Sequence, residues 1–216
     1  MRITAIVPIK LNNERLPGKN TRLLGGKPLI TYCLDMLLSI DRIDERYVYC
    51  SDEAIAEYLP SGVKFLRRPA ELDLPTSNFT QIFGSFSSMV PSDVYIYAHA
   101  TAPFVTAKTV DNELDAVLGG GYDSAFCAER IQDFLWKDGE ALNFNPENVP
   151  RSQDLPIVYR ETSGVYVFNN SVFEQYHRRV GKKPYIAEVS RREAVDINTF
   201  EDFQFAEIML GGTANE

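Results

Sequence analysis

Residues 3–30 read ITAIVPIKLNNERLPGKNTRLLGGKPLI, and this stretch decides the fold. Its first seven residues, ITAIVPI (3–9), form an apolar run rich in β-branched side chains, which predicts a buried strand. A polar loop with glycines at 18, 25 and 26 follows. Pro28 then suits the first turn of a helix over residues 29–40. In open α/β sheets, ligands bind beyond the carboxyl ends of the strands, so the loop 10–27 lies where a ligand would.

Moving outward, the alternation continues. RYVYCS (46–51), VKFLR (63–67) and DVYIYAH (93–99) read as strands, and NFTQIFGSFSSMV (78–90) as a helix. Asp52 is placed to cap EAIAEYL, and Thr106 to cap a helix running to Leu118 and ending at Gly119-Gly120-Gly121. This order predicts an α/β fold of three layers with a mainly parallel sheet. After the glycines the rhythm changes. SAFCAER (124–130), DFLWK (133–137) and ALNFN (141–145) are short strand candidates, with Asp138-Gly139 as a hairpin turn. A polar stretch (146–156) precedes a core strand, SGVYVFNN (163–170), and VFEQYHRR (172–179) and FEDFQFAEIML (200–210) read as amphipathic helices. We expect one domain over 1–216, with about 130–162 as an excursion suited to a contact between subunits.

Charge adds a direction. The chain carries a formal −8, yet residues 1–30 hold six Lys or Arg against one acid, Glu14. An acidic protein is a poor partner for nucleic acid or an anionic membrane, whose phosphates attract basic faces. A basic loop within it suits a small anionic ligand, a solvated loop being the plain alternative. The loop matches neither G-x-x-x-x-G-K-[ST] nor G-x-G-x-x-G, so it is neither a kinase-type phosphate loop nor a dinucleotide fingerprint. Cys33, Cys50 and Cys127 are far apart and read as buried free thiols, and no Cys/His group has zinc spacing. With no signal-peptide pattern or membrane-spanning run, a cytoplasmic location is expected.

Five blocks, in order along the chain, resemble the sugar-activating cytidylyltransferases, the acylneuraminate (CMP-sialic acid) synthetases and the related Kdo synthetases. They are VPIKLNNERLPGKNTRLLGGKPLI (7–30), RRPAEL (67–72), AHATAPFVTAKTVD (98–111), PRSQDLPIVYRETSGVYVF (150–168) and VDINTFEDFQFAE (195–207). Lys-Asn at 19–20 leans toward the acylneuraminate branch. The resemblance implies a Rossmann-like nucleotidyltransferase fold, CTP and an acidic sugar as substrates, Mg²⁺ as cofactor and a homodimer. It also implies roles for residues. Lys10, Lys19, Asn20, Arg68 and His99 would bind nucleotide. Arg151, Gln153 and Arg160 would hold the acidic sugar, with Lys137 supplied from the neighbouring subunit. Lys19 and Asp196 would carry the catalysis, and Asp196 with Asn198 would hold the metal.

The departures from the family pattern are specific. His99 stands for a glutamine, Ala100 for a proline, Val105 for an arginine, Phe79 for a serine and Ser163 for an asparagine. Asp196-Ile197-Asn198 replaces Asp-x-Asp, so the second metal position offers a carbonyl oxygen without charge. Three functions follow as expectations. The first is CTP-dependent activation of a sialic-acid-like 3-deoxy-2-keto sugar acid with release of pyrophosphate. The second is the same chemistry with another nucleotide or a Kdo-like sugar. The third is a nucleotide- or sugar-binding homologue that has lost catalysis.

Overall fold

The computed structural model describes residues 1–211. Its first half alternates as the sequence predicts. β1 (Ile3–Ile9) leads into the long loop, which contains a 3-10 turn at Lys19–Thr21 and a small hairpin of β2 (Leu23–Leu24) and β3 (Lys27–Pro28). Then come α1 (Leu29–Leu38), β4 (Glu45–Cys50), β5 (Lys64–Arg67), α2 (Phe79–Met89), β6 (Val94–Ala98) and α3 (Ala107–Leu118). The second half holds β7 (Ser124–Ile131), the hairpin β8 (Trp136–Lys137) and β9 (Glu140–Ala141), β10 (Val158–Asn169), α4 (Asn170–Tyr176), β11 (Pro184–Val189) and α5 (Phe200–Gly211).

Side chains cap three segments, at Asp52 and Thr106 as expected and at Asn78 in addition. The Asn78 side chain accepts from the Gln81 amide while the Gln81 side chain accepts from the Asn78 amide, a capping box that starts α2. Thr106 accepts from the Thr109 amide at the start of α3. Asp52 caps its segment too, but as a 3-10 turn over Glu53–Tyr58.

Seven strands form one sheet in the order β11-β7-β10-β6-β1-β4-β5. All neighbours are parallel except β10, which runs antiparallel to both β6 and β7. The chain winds from β1 outward to β5 and then returns across β1 to β6. That reversal places the crevice at the carboxyl ends of β1 and β6, where the basic loop and residues 99–106 emerge.

The two faces of the sheet differ in chemistry because strand side chains alternate. Ala5, Val7, Ile96, Ala98, Val165 and Val167 pack under α1 and α3 in an aliphatic core. Ile6, Tyr95, Tyr97, Tyr166 and Phe168 point the other way, into an aromatic core with Phe83 and Phe86 of α2. A third cluster bears directly on function. Leu16 and Leu24 of the basic loop are buried against Ile197 and α5 residues Phe203 and Ala206, so the loop is packed rather than free.

Three features depart from the sequence reading. β11 has no counterpart in it, because this short strand begins with a proline and lies at the sheet edge, where a missing N–H is tolerated. β10 begins at Val158, five residues before the expected strand. Its first part, VYRET, is polar because it pairs with β7 beyond the core, before a register shift between Glu161 and Tyr166. Of the expected strands 133–137 and 141–145, only Trp136–Lys137 and Glu140–Ala141 pair, across an Asp138-Gly139 turn with both residues at positive φ. The excursion thus leaves the sheet after Ile131 and rejoins it at Val158.

Candidate active site

The site is assembled from the loop after β1 and the turn between β11 and α5. Gly18 has φ 65°, a left-handed conformation that favours glycine, and it opens the 3-10 turn that carries Lys19 inward. Lys19 is only 8% exposed. Its Nζ donates to the Ile197 carbonyl at 2.8 Å. Burial lowers its pKa; Asp196 acts in the opposite direction, and Arg15 adds to the lowering. Asn20 is buried and donates to the Lys10 carbonyl at 2.9 Å, so its amide closes the loop upon itself.

The turn opposite is equally ordered. Asp196 Oδ1 accepts from the Thr101 hydroxyl at 2.5 Å, and Asp196 Oδ2 accepts from Asn198 Nδ2 at 2.6 Å. Asn198 Oδ1 accepts from an Arg15 guanidinium nitrogen at 3.0 Å. The Asp202 carboxylate accepts from the amides of Asn198 and Thr199 at 2.9 and 2.8 Å. Burial opposes the charge of Asp202, but these amides outweigh it and lower its pKa.

Two clefts meet at Asn198. The first, about 300 Å³, is lined by Lys10, Arg15 and Lys19, with Asn12, Asn13 and Glu14 beside them and Pro75 opposite. The second, about 410 Å³, is lined by Arg160, Arg191, Glu129, Asp196, Asp202 and Phe205, and Asn198 belongs to both. Among the described residues, no salt bridge involves Lys10, Arg15 or Lys19. In the second cleft, by contrast, Arg160 donates to Glu129 Oε2 through two nitrogens at 3.1 and 2.5 Å, and Arg191 lies 3.7 Å from Glu129 Oε1.

The remaining expected residues are more scattered. Arg68 is 3% exposed and pairs with Asp73, which also accepts from Ser51, while Arg68 Nε has no partner among the described residues. It lines neither cleft, although Pro75 of the adjoining segment walls the first. His99 Nε2 is buried and has no hydrogen-bond partner among the described residues. Burial and then the nearby Arg179 push its pKa down to about 4, so the ring is neutral at pH 7. Lys137, Arg151 and Gln153 ride on the excursion and line neither cleft. Arg151 is exposed and paired with Asp154 at 2.7 and 3.2 Å, and the Gln153 carbonyl accepts from Gln132.

Residue-by-residue reading missed Thr101, Glu129, Arg191 and Asp202 altogether. Arg15 was counted only as one charge of the loop. Arg179 was missed as well. It stacks 3.7 Å from the Tyr166 ring centroid and lies near Phe79 and Tyr97. Phe79 itself packs on Phe83 and Tyr97, and Tyr97 touches His99. Two of the departures from the family pattern therefore share one aromatic neighbourhood.

The sheet order and the crevice at its switch point are those of a Rossmann-like α/β fold shared with nucleotidyltransferases. A CMP:2-keto-3-deoxy-manno-octonic acid synthetase complexed with CTP superposes with a TM-score of 0.73 at 14% identity, over 99% of this chain and 100% of that one. The 4-diphosphocytidyl-2C-methyl-D-erythritol synthase of Anaerococcus prevotii gives 0.68 at 16% identity, over 97% of this chain and 96% of that one. The family model described as cytidylyltransferase matches residues 4–209, and the chain belongs to that family. It is 28% identical over 215 residues to N-acylneuraminate cytidylyltransferase A of Danio rerio, covering 95% of this chain and 50% of that protein. It is 27% identical over 229 residues to the CMP-N,N'-diacetyllegionaminic acid synthase of Legionella pneumophila, covering 97% of each. The chain thus spans about half the length of the fish relatives that it matches.

Proposed function

We propose that this protein activates a nonulosonic sugar acid with CTP, forming the CMP-sugar and releasing pyrophosphate. The observation that carries this reading is the meeting of two clefts at Asn198, one lined by unpaired cations and the other by arginines. The first suits a triphosphate and the second a carboxylate. Family membership and the acylneuraminate and legionaminic relatives favour CTP and a nine-carbon sugar acid.

In the reaction, the sugar hydroxyl attacks the α-phosphorus and pyrophosphate departs. Such transfer depends on in-line positioning and on neutralising charge where it develops. Lys10 and Lys19 neutralise the departing pyrophosphate, and Asn20 keeps Lys10 and Lys19 in one closed loop. Arg160 receives the sugar carboxylate by exchanging it for Glu129, a fork-to-carboxylate contact of the same kind. Asp196, which lines the second cleft beside Asn198, would accept a hydrogen bond from the attacking hydroxyl. His99, neutral and buried, supplies polarity but no charge.

The donor set decides what Mg²⁺ would meet. Among the described residues no group of three His, Cys, Asp or Glu is arranged to hold a metal. Asp196 is the protein carboxylate that would hold Mg²⁺, with the remaining positions left to substrate phosphates and water, since Mg²⁺ binds through one or two carboxylates plus substrate phosphates. When bound, such an ion supplies further charge neutralisation at the phosphates.

The exposed side chains of Phe134, Trp136, Leu142, Val149 and Ile157 on and beside the excursion support a homodimer through it. In that arrangement Lys137 would reach the partner's second cleft. No helix among the described residues is long and apolar enough to cross a membrane. Three buried free cysteines favour the reducing cytoplasm.

Phe79 and His99 favour one variant of the reading, in which the base or the sugar differs, a Kdo-like octulosonate included. A panel of four nucleoside triphosphates against sialic, legionaminic, pseudaminic and Kdo acids, read by pyrophosphate release, tests both. Release with CTP and a nonulosonic acid is expected. Tight nucleotide binding without release from any pair would leave only the binding homologue.

A further inference from the structure

The relay Arg15–Asn198–Asp196 joins the basic loop to the α5 turn across 183 residues of sequence. Its chemistry admits one orientation. A guanidinium only donates and a carboxylate only accepts, so the amide must present Oδ1 to Arg15 and Nδ2 to Asp196. An aspartate at 198 would bring two carboxylates to 2.6 Å, a separation that demands a shared proton or a cation between them. The neutral amide removes that demand and brings in a fixed positive charge instead. Arg15 has no acidic partner within ion-pair distance among the described residues, although Glu14 also lines the cleft. It is close enough to Lys19 to lower that group's pKa. Two like charges held together in one cleft repel each other, and a polyanion relieves the repulsion.

We infer that Arg15 is a nucleotide-binding residue of this protein, latched by Asn198 so that its guanidinium takes over the phosphate-neutralising charge of a cation clamped at positions 196 and 198. Nucleotide binding should therefore depend little on a divalent ion. The inference rests on the CTP reading above and deepens it. Arg15 is exposed, so its replacement leaves the core untouched.

The test is calorimetric binding of CTP to the full chain in Mg²⁺ and in EDTA. Wild type should lose less than about fivefold in affinity when Mg²⁺ is removed, and Arg15→Gln should lose about fivefold or more relative to wild type in EDTA. Arg15→Lys, which keeps the charge but not the fork, should fall between them. Asn198→Asp should make CTP binding depend on Mg²⁺ by about fivefold or more. A wild type that needs Mg²⁺ beyond that limit, or an Arg15→Gln protein that matches wild type in EDTA, overturns the inference alone. A wild type that binds no nucleoside triphosphate even with Mg²⁺ overturns the CTP reading itself.

Discussion

The two clefts differ in how their cations are kept. In the first, Lys10, Arg15 and Lys19 line the cavity, and among the described residues their side chains have carbonyl and amide oxygens as their only partners, or none. In the second, Arg160 and Arg191 share Glu129. The first is ready for an anion. The second must exchange one carboxylate for another, which costs affinity but selects against ligands that lack the incoming group. Under the proposed function, this difference favours a nucleotide binding first and a sugar acid second.

The largest expected effect is in the first cleft. Lys19→Ala should reduce kcat/KM for CTP by about 100-fold, the scale of losing one preorganised charge-stabilising donor. Steady-state kinetics with CTP varied checks it; a loss confined to the sugar KM would assign Lys19 to the wrong cleft. In the second, Arg160→Ala should raise the sugar KM by about tenfold with CTP affinity unchanged. Glu129→Gln, which frees Arg160, should lower the sugar KM by a few-fold, as a competitor's removal does.

A further contrast lies beneath the second cleft. Glu113 on α3 is fully buried and accepts from Cys127 Sγ at 3.2 Å, two residues from Glu129 along β7. Burial pushes its pKa up to about 8. A raised folded-state pKa favours folding below the unfolded value of 4.5, and that contribution is lost as pH rises through about 8. Wild-type Tm should therefore decline between pH 5 and pH 9 more steeply than that of Glu113→Gln, measured by thermal denaturation.

The smallest effect concerns His99. With its pKa near 4, the ring does not titrate across the neutral range. His99→Gln should leave the shape of the pH–rate profile between pH 6 and 8 unchanged and alter kcat by no more than about threefold. A limb near pH 6.5 that vanishes in the variant would make His99 a working acid or base.

How much of this was legible follows from the range of each contact. β1, the loop and α1 show themselves because a short β-branched run, glycines and a first-turn proline are local signals. Lys19 and Asp196 came from motif blocks rather than from periodicity. Arg15 drew no role, because its partner Asn198 lies at the other end of the chain and no pattern near Arg15 announces it. Glu129 was unreadable for the same reason. It sits at the end of β7, and its partner Arg160 belongs to a stretch of β10 too polar to look like a strand. Arg151 and Gln153 belong to a matching block and Lys137 to none, yet all three line neither cleft, since similarity along the chain does not reveal which side chains the fold brings together.

Hydrogen–deuterium exchange with CTP alone tests the division of labour between the clefts most directly. The expected result is added protection at residues 10–20 and 196–199, with residues 129–131 and 158–162 unchanged until the sugar acid is added. Protection by CTP at 129–131 and 158–162, with the basic loop unaffected, would contradict it.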